Sequence, residues 1–402
     1  MKTTITLRHH VLFLASIFCF WFATYIYIPT FSLYLEYQAF PLDTIGIILG
    51  SYGVTQVLLR FPLGVLSDRL QYLRKALYIA GFVFAIVSGL MLIYFDSFFP
   101  ILMARLFAGV TAAMWVMATI MYAQYFRPDQ SSRAMGTVQF LTVTPQFISM
   151  ASAGFLVSQF GWSLPFWIAV VFSVLGLVLA LAVKVVPVEA GSAPKMNLSE
   201  YVTGTLKVKY LLPVTTVSML CHAIMFITIF GFTPLYASSL GVTERELIWL
   251  MTGFFVPHAA ASLGVAFASI SPERERFYFI GGLVLTVVML AAVPLTNSLL
   301  TLSLVHGVIG LALGVVLPLL LANIARLPGN QLKNSVMGFY QSFYALGIFL
   351  GPLIGGAVAE NIGLNAVFVM GSIFAAAALG VVWLYFKDRK PAVNNIKKPA
   401  SF

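Results

Sequence analysis

Twelve apolar segments of about 20 residues follow one another along this 402-residue chain and leave almost no other fold open to it. A helix of that length crosses a hydrocarbon core of roughly 30 Å and satisfies its own backbone polar groups on the way. The segments are 11 to 34, 43 to 67, 76 to 95, 98 to 122, 135 to 159, 163 to 186, 210 to 236, 246 to 268, 277 to 295, 298 to 321, 336 to 358 and 363 to 386. Only 9% of the residues are charged, whereas about a quarter are in a soluble domain. The sequence therefore predicts an all-α membrane protein with twelve transmembrane helices. Lys2 and Arg8 precede the first segment as they would precede a secretory signal. That segment is too long for one, however, ends in "YIYIPTF" rather than in small residues, and is followed by eleven more spans.

Lys and Arg in short loops resist translocation, so their distribution predicts orientation. With both termini in the cytoplasm, all but three of the 23 Lys and Arg fall on the cytoplasmic side; Arg60 and Arg105 lie inside spans and Arg245 outside. The net charge of +10 is then a signature of topology and implies no nucleic-acid partner. The basic tail, 387–402, is expected to touch anionic lipid of the cytoplasmic, inner membrane. Cys19 and Cys221, the only cysteines, both lie within spans, which excludes a disulfide framework or a metal site. No Gly-rich phosphate loop with a following Lys occurs, so ATP is not the direct energy source. With no nucleophile, metal or acid–base pair to support catalysis, neither an enzyme nor a cofactor is expected.

The chain repeats itself. A shift of 200 residues lays Gly53 on Gly253, Gly64 on Gly264, Arg74 on Arg274 and Gly81 on Gly281. Shifts of 201 to 202 lay "RLFAG" (Arg105 to Gly109) on "HGVIG" (His306 to Gly310), and Ser16 and Cys19 on Ser218 and Cys221. Transporter folds are often built from such related halves. The predicted organisation is a six-helix bundle over 1–186, a polar cytoplasmic linker over 187–209, a second six-helix bundle over 210–386 and the tail.

At this point the chain resembles the major facilitator superfamily over essentially its whole length. Gly64, Asp68 and Arg69 match that family's GxxxDRxGRR loop signature, although Gln71 replaces the second Gly and the basic pair is displaced to Arg74 and Lys75. "RLFAG" is similar to the fourth-helix RxxxG. "GIFLGPLIGG", with Gly347, Gly351, Pro352, Gly355 and Gly356, resembles the GxxxGPxxGG signature that antiporters carry in the fifth helix; here it stands in the eleventh span, and the fifth has Pro145, Ser149, Met150, Ala153 and Gly154 instead, which counts against an antiporter. The resemblance implies alternating access between two pseudo-symmetric bundles. Gly53, Gly64, Gly351, Gly355 and Gly356 are expected where the halves rock against each other, and Gly64, Asp68 and Arg69 form a latch on the outward-facing state.

Arg60 shares a helical stripe with Gly53, Gln56, Gly64 and Asp68, so it faces the bundle interior. A charge there costs on the order of 3 kcal/mol and calls for a partner or a function. All 13 acidic residues lie near span ends or in loops. Proton-coupled carriers and carriers of cationic drugs usually place a carboxylate in mid-membrane; without one, a cavity lined by Arg60, Arg105 and the span histidines His222, His258 and His306 favours an anionic, zwitterionic or neutral solute. Histidine titrates near neutrality and is the candidate carrier of a coupling proton. Arg105 and His306, matched by the repeat, are expected to face each other across the cavity. Trp21, Tyr25, Trp115, Gln139, Gln146, Phe226, Tyr340, Gln341 and Tyr344 are candidate wall residues. The expectation is a monomeric, proton-coupled permease of a small organic molecule. Its resemblance to the short bacterial efflux branch favours export; uptake of a sugar or organic anion, drug efflux, and a non-transporting sensor or assembly partner are the alternatives.

Overall fold

The computed structural model describes residues 5–66, 71–126, 131–186, 197–268, 270, 272–326 and 332–385. Among them are twelve helical spans long and apolar enough to cross a membrane, within several residues of the segments read from hydropathy. The first is α1 (Leu7–Tyr25) with α2 (Ile28–Tyr37); then come α3 (Leu42–Leu66), α4 (Arg74–Tyr94), α5 (Phe98–Ala113) with α6 (Trp115–Ala123), α7 (Ser131–Phe160) and α8 (Ser163–Ala182). After the short α9 (Leu198–Leu206), the seventh span is α10 (Leu211–Ile227), a π-helical turn (Thr228–Phe232) and α11 (Thr233–Ser239). The remaining spans are α12 (Leu247–Phe267), α13 (Pro272–Ala292), α14 (Leu299–Arg326), α15 (Lys333–Asn361) and α16 (Leu364–Tyr385).

Neighbours within the two six-helix bundles repeat. The second span packs on the fourth as the eighth does on the tenth, and the third on the sixth as the ninth does on the twelfth. Turns repeat as well. Ala39, Gly161, Gly241 and Gly363, with φ of 60°, 84°, 81° and 110°, follow the first, fifth, seventh and eleventh spans. Ala39 and Gly241 are 202 positions apart, as are Gly161 and Gly363. This left-handed backbone suits glycine, and Ala39 adopts it against the steric demand of its Cβ.

Among the described residues, three spans are interrupted. A proline has no N–H and its ring clashes with the carbonyl four residues earlier. Pro29 thereby frees the carbonyl of Tyr25, where α1 ends, and Pro234 frees that of Phe230, inside the π turn. The fourth span breaks at Met114 with no proline nearby; the Met114 amide bonds to the carbonyls of both Val110 and Thr111.

The bundles meet most extensively along α3 and α15, where main chain touches main chain. A Cβ added at Gly46 would lie 2.7 Å from the Cα of Gly356, one at Gly53 would lie 2.5 Å from the Phe349 nitrogen, and one at Gly64 would lie 2.8 Å from the Cα of Gly338. Ser342 donates to the Val57 carbonyl, and Leu42 N–H donates to Glu360 at 2.8 Å. On the opposite flank Gly154 of α7 lies against the backbone of Glu244, and the rings of Phe147 and Phe255 are 6.4 Å apart. The segment read as a polar linker contains α9, opened by Asn197 and Glu200 (2.8 Å) and tied to α15 by a 2.7 Å bond between Thr205 and Ser335. The end of the bundles nearest α9 is termed the linker end; at the far end α2 packs on α11. Near the linker end, Glu275 is buried, accepts from Asn323 at 3.0 Å and pairs with Arg326.

Candidate functional site

Steps of four along α3 put Tyr52, Gln56 and Arg60 on one face, and that face is buried. Arg60, 3% exposed, enters the seam between the bundles. Its Nη1 donates to the Tyr344 phenol of α15 at 2.6 Å, and its Nη2 to the Ala112 carbonyl at 3.3 Å. Ala112 lies in the last turn of α5, just before the Met114 break. The last carbonyls of a helix have no partner within it, and a bare carbonyl in an apolar interior costs several kcal/mol. Arg60 supplies a donor there, and a positive charge at the negative end of the helix dipole. The buried guanidinium is therefore held by two features absent from any hydropathy profile. Its Nε has no hydrogen-bond partner.

The Tyr344 ring contacts two cationic or protonatable groups. The Arg60 guanidinium is 5.2 Å from the ring centroid, and the His222 imidazole stacks on the ring at 4.0 Å with 8° between planes. His222 Nδ1 bonds to the Ser218 carbonyl at 2.8 Å. A carbonyl only accepts, so Nδ1 carries the proton and Nε2 is the open, basic nitrogen. Ser218 in turn donates to Tyr340 at 2.9 Å, whose ring packs edge-on to Tyr344 at 5.3 Å. Tyr25 sits beside Gln146 and Tyr52, within electrostatic range of Arg60 and Tyr344. Its ring is 5.8 Å from Phe230 of the other bundle, and Tyr52 stacks on Phe226 at 6.1 Å. Gln341 is buried, with no partner for its Oε1. Arg60, Tyr344, His222, Tyr25 and Gln146 thus form one polar cluster drawn from both bundles.

Arg105 occupies a separate cage. It is 2% exposed, donates to Tyr27 at 3.0 Å, and lies 4.7 Å from the ring centroid of Tyr52 and 5.2 Å from that of Phe31. Cation–π contacts of this kind contribute about 2 kcal/mol or more when desolvated. Among the described residues no carboxylate lies within ion-pair distance of Arg60 or Arg105. Tyr52 bridges the two sites, since both guanidinium groups act on its phenol.

The structure does not bring Arg105 and His306 together, contrary to the expectation from their repeat positions. His306 is fully buried in its own bundle, bonded to the Leu302 carbonyl at 3.0 Å and to Thr233 at 3.1 Å. Residues matched by a repeat are related by the axis between the bundles, and that relation does not make them face each other. His258 also stays within its bundle, bonded to the Gly310 carbonyl at 3.1 Å and stacked on Phe254. Trp115 packs on Trp21 at 5.0 Å inside the first bundle, and Trp21 Nε1 has no partner. The glycines of α15 divide by face. Pro352 and Gly356 meet Gly46 across the seam, whereas Gly347, Gly351 and Gly355 turn to Met219, Ala223 and Ile227 of the same bundle, which corrects the placement of Gly351 and Gly355 between the halves. Of the latch, Gly64 packs on Gly338; Asp68 and Arg69 lie outside the described residues, as does the side chain of Gln139. Sequence reasoning missed Tyr27, Phe31 and Tyr52. Tyr52 was signalled by the stripe it shares with Gln56 and Arg60, but it is one of 17 tyrosines.

The family model described as Major Facilitator Superfamily matches residues 13–236 and again 214–401. Multidrug resistance protein 2 of Bacillus subtilis (strain 168) is 24% identical, over 96% of this chain and 97% of its own. An uncharacterized transporter of Buchnera aphidicola subsp. Schizaphis graminum (strain Sg) is 27% identical over 34% of each chain. Among solved structures, a point mutant of the nucleoside transporter NupG superposes with a TM-score of 0.74 at 15% identity, over 94% of this chain and 100% of that one.

Proposed function

This chain belongs to the Major Facilitator Superfamily and is a membrane transporter, and from that premise we propose that it exports a small anionic, zwitterionic or neutral organic solute by proton-coupled alternating access. The observation that carries this reading is the Arg60–Tyr344–His222 stack. It joins the two bundles across the α3–α15 seam and offers a guanidinium with no carboxylate in ion-pair range among the described residues.

A guanidinium presents a fork of donors that suits a carboxylate or phosphate, and its unpartnered Nε is a donor for cargo to take up. An organic cation would meet repulsion from Arg60 and, among the described residues, no acid within ion-pair range of it to offset that. His222, with an open Nε2 stacked on the ring that Arg60 bonds, is the proposed proton carrier. Protonation places a second positive charge beside Tyr344, within electrostatic range of Arg60, which repels it. Export is supported by the multidrug-resistance relative that spans nearly the whole chain. The basic distribution supports a linker end in the cytoplasm, and the proposed unit is a monomer in the cytoplasmic membrane.

Flux into and out of proteoliposomes, measured for matched anionic, zwitterionic, neutral and cationic compounds with and without a pH gradient, tests the reading. The expected result is gradient-driven movement of a non-cationic compound that falls at least about tenfold in Arg60→Gln. Transport restricted to cations, undiminished in that variant, would overturn it.

A further inference from the structure

A pocket of about 360 Å³ opens at the far end of the first bundle, between α2, the C-terminal end of α4 and the start of α8. Tyr34, Tyr37, Tyr94, Phe95, Trp162 and Phe166 line it with six aromatic rings. Its floor is firm, since Tyr34 and Phe166 are buried with their rings 5.2 Å apart. Its rim is open, with Tyr37 5.6 Å from Trp162 and with Tyr37 and Tyr94 both exposed. Among the described residues that line it, Asp96 alone is charged, and neither Lys nor Arg is present.

We propose that this pocket binds an organic ammonium group, the chemistry shared by free quaternary amines and by phospholipid headgroups. Ring faces attract a cation lying within about 6 Å of their centroids, and Asp96 supplies the opposite charge at the same mouth. The volume falls in the range of small-molecule sites, large enough for a choline-sized group and too small for a whole lipid. A belt of aromatics at the membrane surface accounts for exposed rings such as Tyr94 and Phe95. It does not account for the buried pair Tyr34 and Phe166 converging with an acid around a cavity. The electrostatics are opposite to those of the Arg60 seam, so the site is independent of the transport reading and either can fail without the other.

The test uses the full chain in nanodiscs of phosphatidylglycerol, with tryptophan fluorescence followed during titration by choline. The control ligand is the neutral isostere of choline in which a tert-butyl group replaces trimethylammonium, at matched ionic strength. Choline is expected to give a saturable change that is lost in Trp162→Phe, and the isostere to bind at least about tenfold more weakly. Asp96→Asn, an exposed position whose fold is checked by circular dichroism, weakens choline binding about tenfold. Equal binding of choline and its isostere, no saturable change, or an affinity unchanged by Asp96→Asn overturns the proposal. A second set of nanodiscs containing phosphatidylethanolamine separates the sources. A several-fold rise in the apparent Kd for choline assigns the site to a lipid headgroup; an unchanged Kd assigns it to free amines, and both support ammonium recognition.

Discussion

Arg60 of α3 donates a 2.6 Å hydrogen bond to Tyr344 of α15, so a guanidinium of one bundle is tied to a phenol of the other. Charge-assisted hydrogen bonds of this kind contribute about 1.5–3 kcal/mol. Tyr344→Phe keeps the ring that stacks on His222 and removes the acceptor. Flux in proteoliposomes is expected to fall at least about tenfold, and the thermal unfolding midpoint to fall as well because a buried donor is left unpaired. Undiminished flux would mean that the cross-bundle bond has no part in transport.

The proton assignment is separable from cargo binding. His222→Phe retains an aromatic partner for Tyr344 and removes the titratable nitrogen. Accumulation driven by a pH gradient is expected to disappear, while counterflow at equal pH on both sides continues. A variant that still concentrates solute against its gradient would exclude His222 as the proton carrier.

Glycines on α3 and α12, the spans that the internal repeat relates, have different neighbours. Gly46 meets backbone on α15, whereas a Cβ at Gly264 would find nothing within 4 Å. Gly46→Ala is expected to destabilise the protein by roughly 1–3 kcal/mol through overpacking that no side-chain rotation can relieve. Gly264→Ala is expected to be neutral or to gain up to about 1 kcal/mol from helix propensity. Thermal unfolding in detergent distinguishes them, and equal losses would contradict the packing described for the seam.

Ala39 and Gly241 adopt the same left-handed turn in the two halves. An alanine in that region carries a penalty of roughly 1–2 kcal/mol, part of which glycine gives back through the freedom of its unfolded chain. Ala39→Gly is therefore expected to stabilise by about 0.5 kcal/mol, and Gly241→Ala to destabilise by about 1 kcal/mol. The comparison needs only unfolding midpoints, and a loss of stability in Ala39→Gly would refute the strain argument.

Hydropathy was sufficient for the twelve spans because their length is imposed by the bilayer. The inward aspect of Arg60 was legible because the stripe through Gln56 and Gly64 depends only on helical periodicity. Its partners were not. The Ala112 carbonyl sits at the break of the fourth span at Met114, and no proline announces that break. His306 misled for a different reason. Internal duplication relates it to Arg105 by position, but its hydrogen bonds go to Leu302, one turn back on its own helix, and to Thr233, which lies close to it only after the second bundle has folded. The cage of Arg105 was hidden by abundance, since any of many tyrosines and phenylalanines would have served.

Backbone meets backbone at Gly46, Gly53 and Gly64, so one flank of the molecule has no compressible layer of side chains. Pulling the bundles straight apart would break every one of these contacts together, whereas tilting them would part the contacts in turn, from Gly46 near one end of α3 to Gly64 near the other.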